Sequence, residues 1–227
     1  MKTWLITGCS SGIGEGIAKA VLKKGDQAVV TARNPKKLAS LVKEYSNTAY
    51  AVALDVTDRE SITNAVKEAL AKFGTIDVLI NNAGYGYRSS VEEGEIDGVD
   101  QLFSTNFFGP IELIKEVLPT MRANKSGAIV NVSSIAAVRS GVGSGYYAAS
   151  KAALELMTDG LAKELKPLGI KVMIVEPGSF RTHFYDTSLK GTEKKIEDYA
   201  ETAGKTRKEN VVNMKNQPGD PMKGGEI

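Results

Sequence analysis

Tyr147 stands four residues before Lys151 in the run Tyr147-Ala-Ala-Ser-Lys151. On a helix that spacing sets the phenol and the ammonium on one face, where the positive charge favours the phenolate. A lysine ammonium about 4 Å away, at an effective dielectric of about 20, is worth roughly 4 kcal/mol to that anion. The pair is acid/base equipment. Almost at the first residue lies a second chemical element, the glycine-rich turn from Thr7 to Gly14, TGCSSGIG. A strand running into Gly8, followed by a helix opened by Gly12, Ile13 and Gly14, turns backbone N–H groups and a helix N-terminus towards a pyrophosphate. Ser10 and Ser11 lie in the same loop, and so does Cys9. Only the helix dipole is near enough in sequence to lower the Cys9 pKa, so packing is the reading preferred over a reactive thiol.

Dinucleotide folds commonly end their second strand on an acid that binds the adenosine ribose. Here the run is Thr31-Ala32-Arg33-Asn34. Ala32 cannot bind a diol, whereas Arg33 offers a planar fork to a phosphate, which points to NADP rather than NAD. An exposed surface arginine is the plainer alternative. Farther on, Asp55 closes a third strand, where it either accepts from the adenine amino group or holds a turn.

The remaining composition narrows the chemistry. Formal charge is +2 with both signs interspersed, so neither a nucleic-acid face nor an acidic tail is marked, and the implied partner is a small molecule. Cys9 and His183 are the only residues of their kinds, which excludes an internal disulfide and leaves a histidine metal site or a Ser-His-Asp triad short of parts. No apolar run reaches the ~18 residues of a membrane span, and the N-terminus turns to glycine too soon for a signal peptide, so the expected location is the cytoplasm.

Elements must hold these groups in place. Short apolar runs predict strands over 3–7, 28–32, 49–54, 78–81, 128–132 and 171–175, alternating with segments of helical period. Ile13, Ile17 and Val21 form one stripe and Leu154, Met157, Leu161 and Leu165 another, both facing the sheet. Phe103, Phe107, Ile111, Ile114 and Leu118 predict a helix over 103–118 with Pro110 inside it, where the Asn106 carbonyl loses its usual donor and could bind a water. The pattern is α/β: one doubly wound Rossmann-type domain over 1–227, with a mainly parallel sheet. After Pro177 and Gly178 the chain turns polar. Residues 182–217 read as a mobile lid with few apolar anchors (Ile196, Val211, Val212, Met214). Phe180, Phe184 and Tyr185 either line a pocket or pin that lid, and His183 reads as a surface or lid residue. Asp220 and Pro221 then announce a helix that has only six residues left to run.

Together these runs resemble the short-chain dehydrogenase/reductase family: TGxxxGxG at 7–14, NNAG as Asn81-Asn82-Ala83-Gly84, a helix asparagine as Asn106, a serine after strand five as Ser134, YxxxK as Tyr147 and Lys151, and PGxxxT from Pro177 to Thr182. The match runs in order over residues 3 to about 182. The serine usually precedes the tyrosine by about thirteen positions, which selects Ser134 over Ser133; Tyr146 has Ser150 at the lysine spacing and drops out. The resemblance implies strand order 3-2-1-4-5-6 and hydride transfer between a nicotinamide and an alcohol/carbonyl pair. Tyr147 is then the acid/base, Ser134 orients the carbonyl, Lys151 binds the nicotinamide ribose, and the Asn106 region holds a water. The implied cofactor site is Gly8, Ser10, Ser11, Gly12, Ile13, Gly14, Arg33, Asn34, Asp55, Val56, Asn82, Ala83, Gly84, Tyr147, Lys151, Pro177, Gly178 and Thr182, with no metal. The branch most resembled includes steroid- and retinol-type dehydrogenases and bacterial carbonyl reductases. A 3-oxoacyl-thioester reductase and a non-catalytic cofactor sensor are the alternatives. The expected assembly is a homo-oligomer, and proteins resembling this one continue past the Asp220-Pro221 helix start into a further helix and a seventh strand. Without these, strand 171–175 is an exposed edge, the lid loses an anchor, and the expectation is a truncated chain or a partner subunit over that edge.

Overall fold

The computed structural model describes residues 1–182, 184, 188–212 and 216–225. Its main sheet has six parallel strands: β1 (Thr3–Ile6), β2 (Gln27–Ala32), β3 (Ala49–Ala53), β4 (Val78–Asn81), β6 (Gly127–Val132) and β7 (Ile170–Val175), ordered β3-β2-β1-β4-β6-β7. Each falls within one residue of its expected bounds. Counted within this sheet, the order is the expected 3-2-1-4-5-6, the doubly wound Rossmann arrangement. Two short strands unseen in the sequence, β5 (Gly86–Arg88) and β8 (Leu189–Gly191), pair in parallel beside it.

Neighbouring side chains along each strand point to opposite faces, so each central strand feeds two cores. Leu5, Val29, Leu79 and Ile129 pack against α3 (Arg59–Phe73), α5 (Gly109–Asn124) and α6 (Gly145–Leu165), through residues such as Val66, Val117 and Leu161. Their neighbours Ile6, Val30, Ile80 and Val130 pack against α1 (Gly12–Lys23) and α2 (Ala39–Glu44), through Val21, Leu22 and Leu41. Ile6 is in register with both Val30 and Ile80, which brings the loops after β1, β2 and β4 to one end of the sheet. Ligands of open α/β sheets bind at that end.

Three expectations change. Ile13 does not join the α1 stripe; it lies in the first turn of α1 and lines the cleft. The predicted 103–118 helix belongs to a longer helical run that passes without a break from α4 (Ile96–Phe103) through a π-helical turn at Ser104–Phe108 into α5. Pro110, the second residue of α5, lies inside that run directly after the π-helical turn. The 182–217 segment is also more structured than its polarity suggests. After β8 come a 3-10 turn (Glu197–Tyr199), a π-helical turn (Ala200–Gly204) and α7 (Lys205–Val212), with Ala203 and Gly204 buried. Met214, His183 and Tyr185 lie outside the described residues.

The announced helix does start: α8 (Pro221–Gly224) is capped by Asp220, which accepts from Met222 N at 2.9 Å. It packs on α1 so closely that a Cβ on Gly16 would meet the Pro221 carbonyl. Among the described residues β3 and β7 are the outer strands of the sheet, and no helix is long and apolar enough to cross a membrane.

Candidate active site

A cleft of about 450 Å³ runs across the loop end of the sheet, from Arg33 and Asp55 past the glycine turn to Tyr147 and Lys151. At the phosphate end the strand-to-helix turn is built from two positive-φ glycines, Gly8 (φ 73°) and Gly12 (φ 65°), a conformation that penalises any Cβ. Gly14 faces Asn82 so closely that a Cβ there would meet the Asn82 amide and the Gly8 carbonyl. Ser11 stands at the N-cap of α1 with extended backbone and no capping bond from its hydroxyl. The first-turn N–H groups have no partner within the helix, and they open onto the cleft beside Ser10, Gly12 and Ile13.

Thr7, first residue of the TGxxxGxG run, knits this turn to the next. Its hydroxyl accepts from Asn82 N and Ala83 N, both at 2.9 Å, and donates to Ile80 O at 3.2 Å. Asn82 returns an amide N–H to Thr7 O at 2.8 Å. Cys9 faces away from reaction: its thiol donates to Ile6 O at 3.2 Å and burial pushes its pKa up to about 12. Packing is its role.

At the adenosine end Arg33 is exposed on the cleft wall. Asn34 is not among the lining residues; its side chain accepts from Lys36 N at 3.1 Å and caps the 3-10 turn Pro35–Leu38. Asp55 lines the cleft with Val56, and its Oδ1 accepts from Thr57 N and Thr57 Oγ1, so the turn reading holds for that oxygen.

At the other end α6 carries Tyr147 and Lys151, both buried. Lys151 Nζ donates to Val132 O at 2.8 Å; burial pushes its pKa down to about 8, against a smaller opposing pull from Glu155. Glu155 was not anticipated, although its place four residues after Lys151 signals a shared helix face. It also separates the two adjacent serines, both of which line the cleft: Ser133 Oγ donates to Glu155 Oε1 at 2.6 Å, while Ser134 Oγ accepts from Ala136 N at 3.1 Å, which leaves its hydroxyl proton to give. Tyr146 is likewise committed elsewhere, donating to Val91 O at 2.8 Å.

Asn106 is wholly buried, and its amide clamps the backbone of Tyr85: Oδ1 accepts from Tyr85 N at 3.1 Å, and Nδ2 donates to Tyr85 O at 3.0 Å and Ser150 Oγ at 3.1 Å. Gly84 lies between; a Cβ on it would be 3.1 Å from Asn106 Oδ1 and 3.5 Å from Lys151 Nζ. Pro177 accepts from Ile135 N, Gly178 lines the cleft, and Thr182 lies against Gly12, 3.1 Å from where a Cβ would be. Phe184 stacks on the Tyr147 ring at 5.6 Å, whereas the Phe180 ring also packs under Gly219 and Gly224. Both aromatics line the cleft, and Phe180 also holds residues 219–224 in place. Tyr85, Arg88, Gln101, Thr105 and Lys190 complete the wall, and the sequence carried no periodic signal for them.

A Rossmann sheet with a glycine turn at one end of its cleft and a Tyr-Lys-Ser set at the other defines a dinucleotide-dependent oxidoreductase. Residues 2–193 match the short chain dehydrogenase family model. The chain belongs to that family and is an enzyme of it. A short-chain dehydrogenase structure from Streptomyces avermitilis shares 43% identity at a TM-score of 0.91, covering 99% of this chain and 82% of that one. The oxidoreductase BOA17 of Botryotinia fuckeliana is 40% identical over 189 residues, 83% of this chain and 69% of the relative. The structure of a 3-ketoacyl-(acyl-carrier-protein) reductase from Brucella melitensis, complexed with NADH, shares 33% identity at a TM-score of 0.79, covering 83% of this chain and 79% of that one.

Proposed function

We propose that this enzyme is an NADP-dependent reductase or dehydrogenase of an alcohol/carbonyl pair, with Tyr147 as its general acid/base. The observation that carries the reading is one cleft holding Tyr147, Lys151 and Ser134 at one end and the glycine turn with Arg33 at the other. The glycine turn fits a dinucleotide because Gly8 and Gly12 take positive φ at the cleft, and the missing Cβ of Gly14 lets the start of α1 sit close against Asn82 and Gly8. When bound, that group supplies or accepts the hydride.

The chain's own residues do the rest. In the direction of reduction Tyr147 gives its phenolic proton to the substrate oxygen, and the Lys151 ammonium steadies the phenolate left behind. Ser134 donates to the same oxygen. Lys151 spends one proton on Val132 O, so two remain for ribose hydroxyls. Ser11 and the first turn of α1 hold the pyrophosphate. Arg33 pairs with a 2′-phosphate, in a place where Ala32 offers no acceptor to a ribose diol. Asn106 fixes Tyr85 and Ser150 around Lys151, and its region holds the water that connects Lys151 to solvent. Residues 182–217 form the substrate lid of a single Rossmann-type domain, and the protein assembles as a homo-oligomer.

The test is a screen of 4-nitrobenzaldehyde, ethyl acetoacetate and cyclic ketones with NADPH and NADH, followed by loss of reduced-nicotinamide absorbance. Tyr147→Phe should lower turnover by about 10²- to 10⁴-fold with NADPH affinity nearly unchanged, since only a proton carrier is lost. A Tyr147→Phe protein that reduced a substrate near the wild-type rate would remove the acid/base assignment.

A further inference from the structure

Glu93 lies outside the cleft lining, has no exposed surface, and is charged. Its carboxylate is fully employed. Oε2 accepts from Arg207 Nη1 at 2.7 Å and from Ser90 N at 3.1 Å; Oε1 accepts from Ile196 N at 3.0 Å and from Arg207 Nη2 at 3.2 Å. The bidentate arginine is the largest cause holding this carboxyl well below the usual range, ahead of the opposing effect of burial. The backbone of the same residue takes part: Glu93 O accepts from Thr192 Oγ1 at 2.7 Å and Glu93 N donates to Ser90 Oγ at 3.2 Å. Beside it, Glu92 accepts from Tyr199 Oη at 2.8 Å.

Thr192, Ile196 and Arg207 all belong to the segment that follows β8. The segment continues directly from β8, which is paired to β5 over three residues and carries Lys190 of the cleft wall next to Ser188. Farther along, Ala203 lies against Gly143, next to Ser144 of the cleft wall. Glu93 thus gathers three well-separated points of the excursion onto one buried carboxylate and its own carbonyl. An ion pair taken out of water contributes little net stability, yet removing one partner leaves the other charged, buried and unsatisfied. Such a pair is all or none, as a latch requires.

We propose that Glu93 and Arg207 are positioning residues that latch the 192–207 segment shut over the substrate side of the cleft and so set substrate affinity, without touching substrate or cofactor. The proposal rests on the reading of this cleft as an NADP-dependent carbonyl site. Segments of low local stability open without global unfolding, and proteases cut them in the open state.

The test compares wild type, Glu93→Gln and Arg207→Gln, each saturated with NADPH, by limited trypsinolysis and by kinetics on 4-nitrobenzaldehyde. In both variants cleavage at Lys190, Lys194, Lys195, Lys205 and Lys208 should quicken by about tenfold or more, while sites in α1 to α6 stay protected. NADPH affinity should hold within about twofold, and KM for 4-nitrobenzaldehyde should rise about fivefold or more with a smaller change in kcat. Wild-type cleavage rates in the variants, or a fall in kcat at constant KM, would overturn the latch. Cleavage rising equally across the chain with NADPH binding lost would also overturn it, by showing a global rather than local role. A wild type that binds neither NADPH nor NADH would instead sink the underlying functional reading.

Discussion

Lys151 carries a charge where charge is costly. Burial lowers its pKa from 10.5 to about 8, so between those values the unfolded chain holds a proton that the folded chain has given up, and stability rises with pH across that window. The penalty is complete below about pH 8 and is relieved as pH climbs towards 10.5. In the cofactor-free protein, the stability of Lys151→Met relative to wild type should therefore fall by up to about 3 kcal/mol between pH 7 and 10.5, measured by urea unfolding at each pH. A difference that stayed flat with pH would mean the ammonium is not desolvated. Arg33 is a surface residue with a separable task. Arg33→Ala should weaken NADPH by about 1 to 3 kcal/mol, the worth of one charged hydrogen-bonding partner, and leave NADH nearly unchanged; equal wild-type affinity for the two cofactors would refute it. Most of these side chains were legible in the sequence because each answers to a spacing. Tyr147 and Lys151 share a helix face, and Ser134 sits where the strand ends. Asn34 caps the Pro35–Leu38 turn through Lys36 N, a task that asks for the same residue type after a strand as a ligand contact does.

At the scale of elements, glycines separate close approach from mere flexibility. Gly14→Ala would set a methyl against the Asn82 amide and the Gly8 carbonyl, so it should cost about 1 to 3 kcal/mol in stability and most of the cofactor affinity. Gly160, inside α6 with nothing within 4 Å of its would-be Cβ, is the counterpart: Gly160→Ala should stabilise by about 0.5 to 1 kcal/mol, read as a raised midpoint in urea. The six strands of the main sheet were foreseen to within a residue because parallel strands buried on both faces read as apolar runs. The π-helical turn at Ser104–Phe108 was not, since one extra residue in a turn leaves the apolar spacing almost intact. The tie between Glu93 and Arg207 was missed for a different reason. Apolar periodicity was the signal sought, but this is a buried ion pair between residues 114 apart, a pairing that no local pattern announces.

For the molecule as a whole, the single thiol gives an independent handle. Cys9 is shut beneath the nucleotide turn with its proton held by burial, and it is the protein's only cysteine. Alkylation by N-ethylmaleimide can therefore proceed only in molecules that have opened there, and every labelled chain gains one mass increment at one known place. The label becomes a stopwatch for breathing at the nucleotide end: adding NADPH should slow it in proportion to occupancy, and a substitution elsewhere that leaves the clock unchanged has left this turn intact.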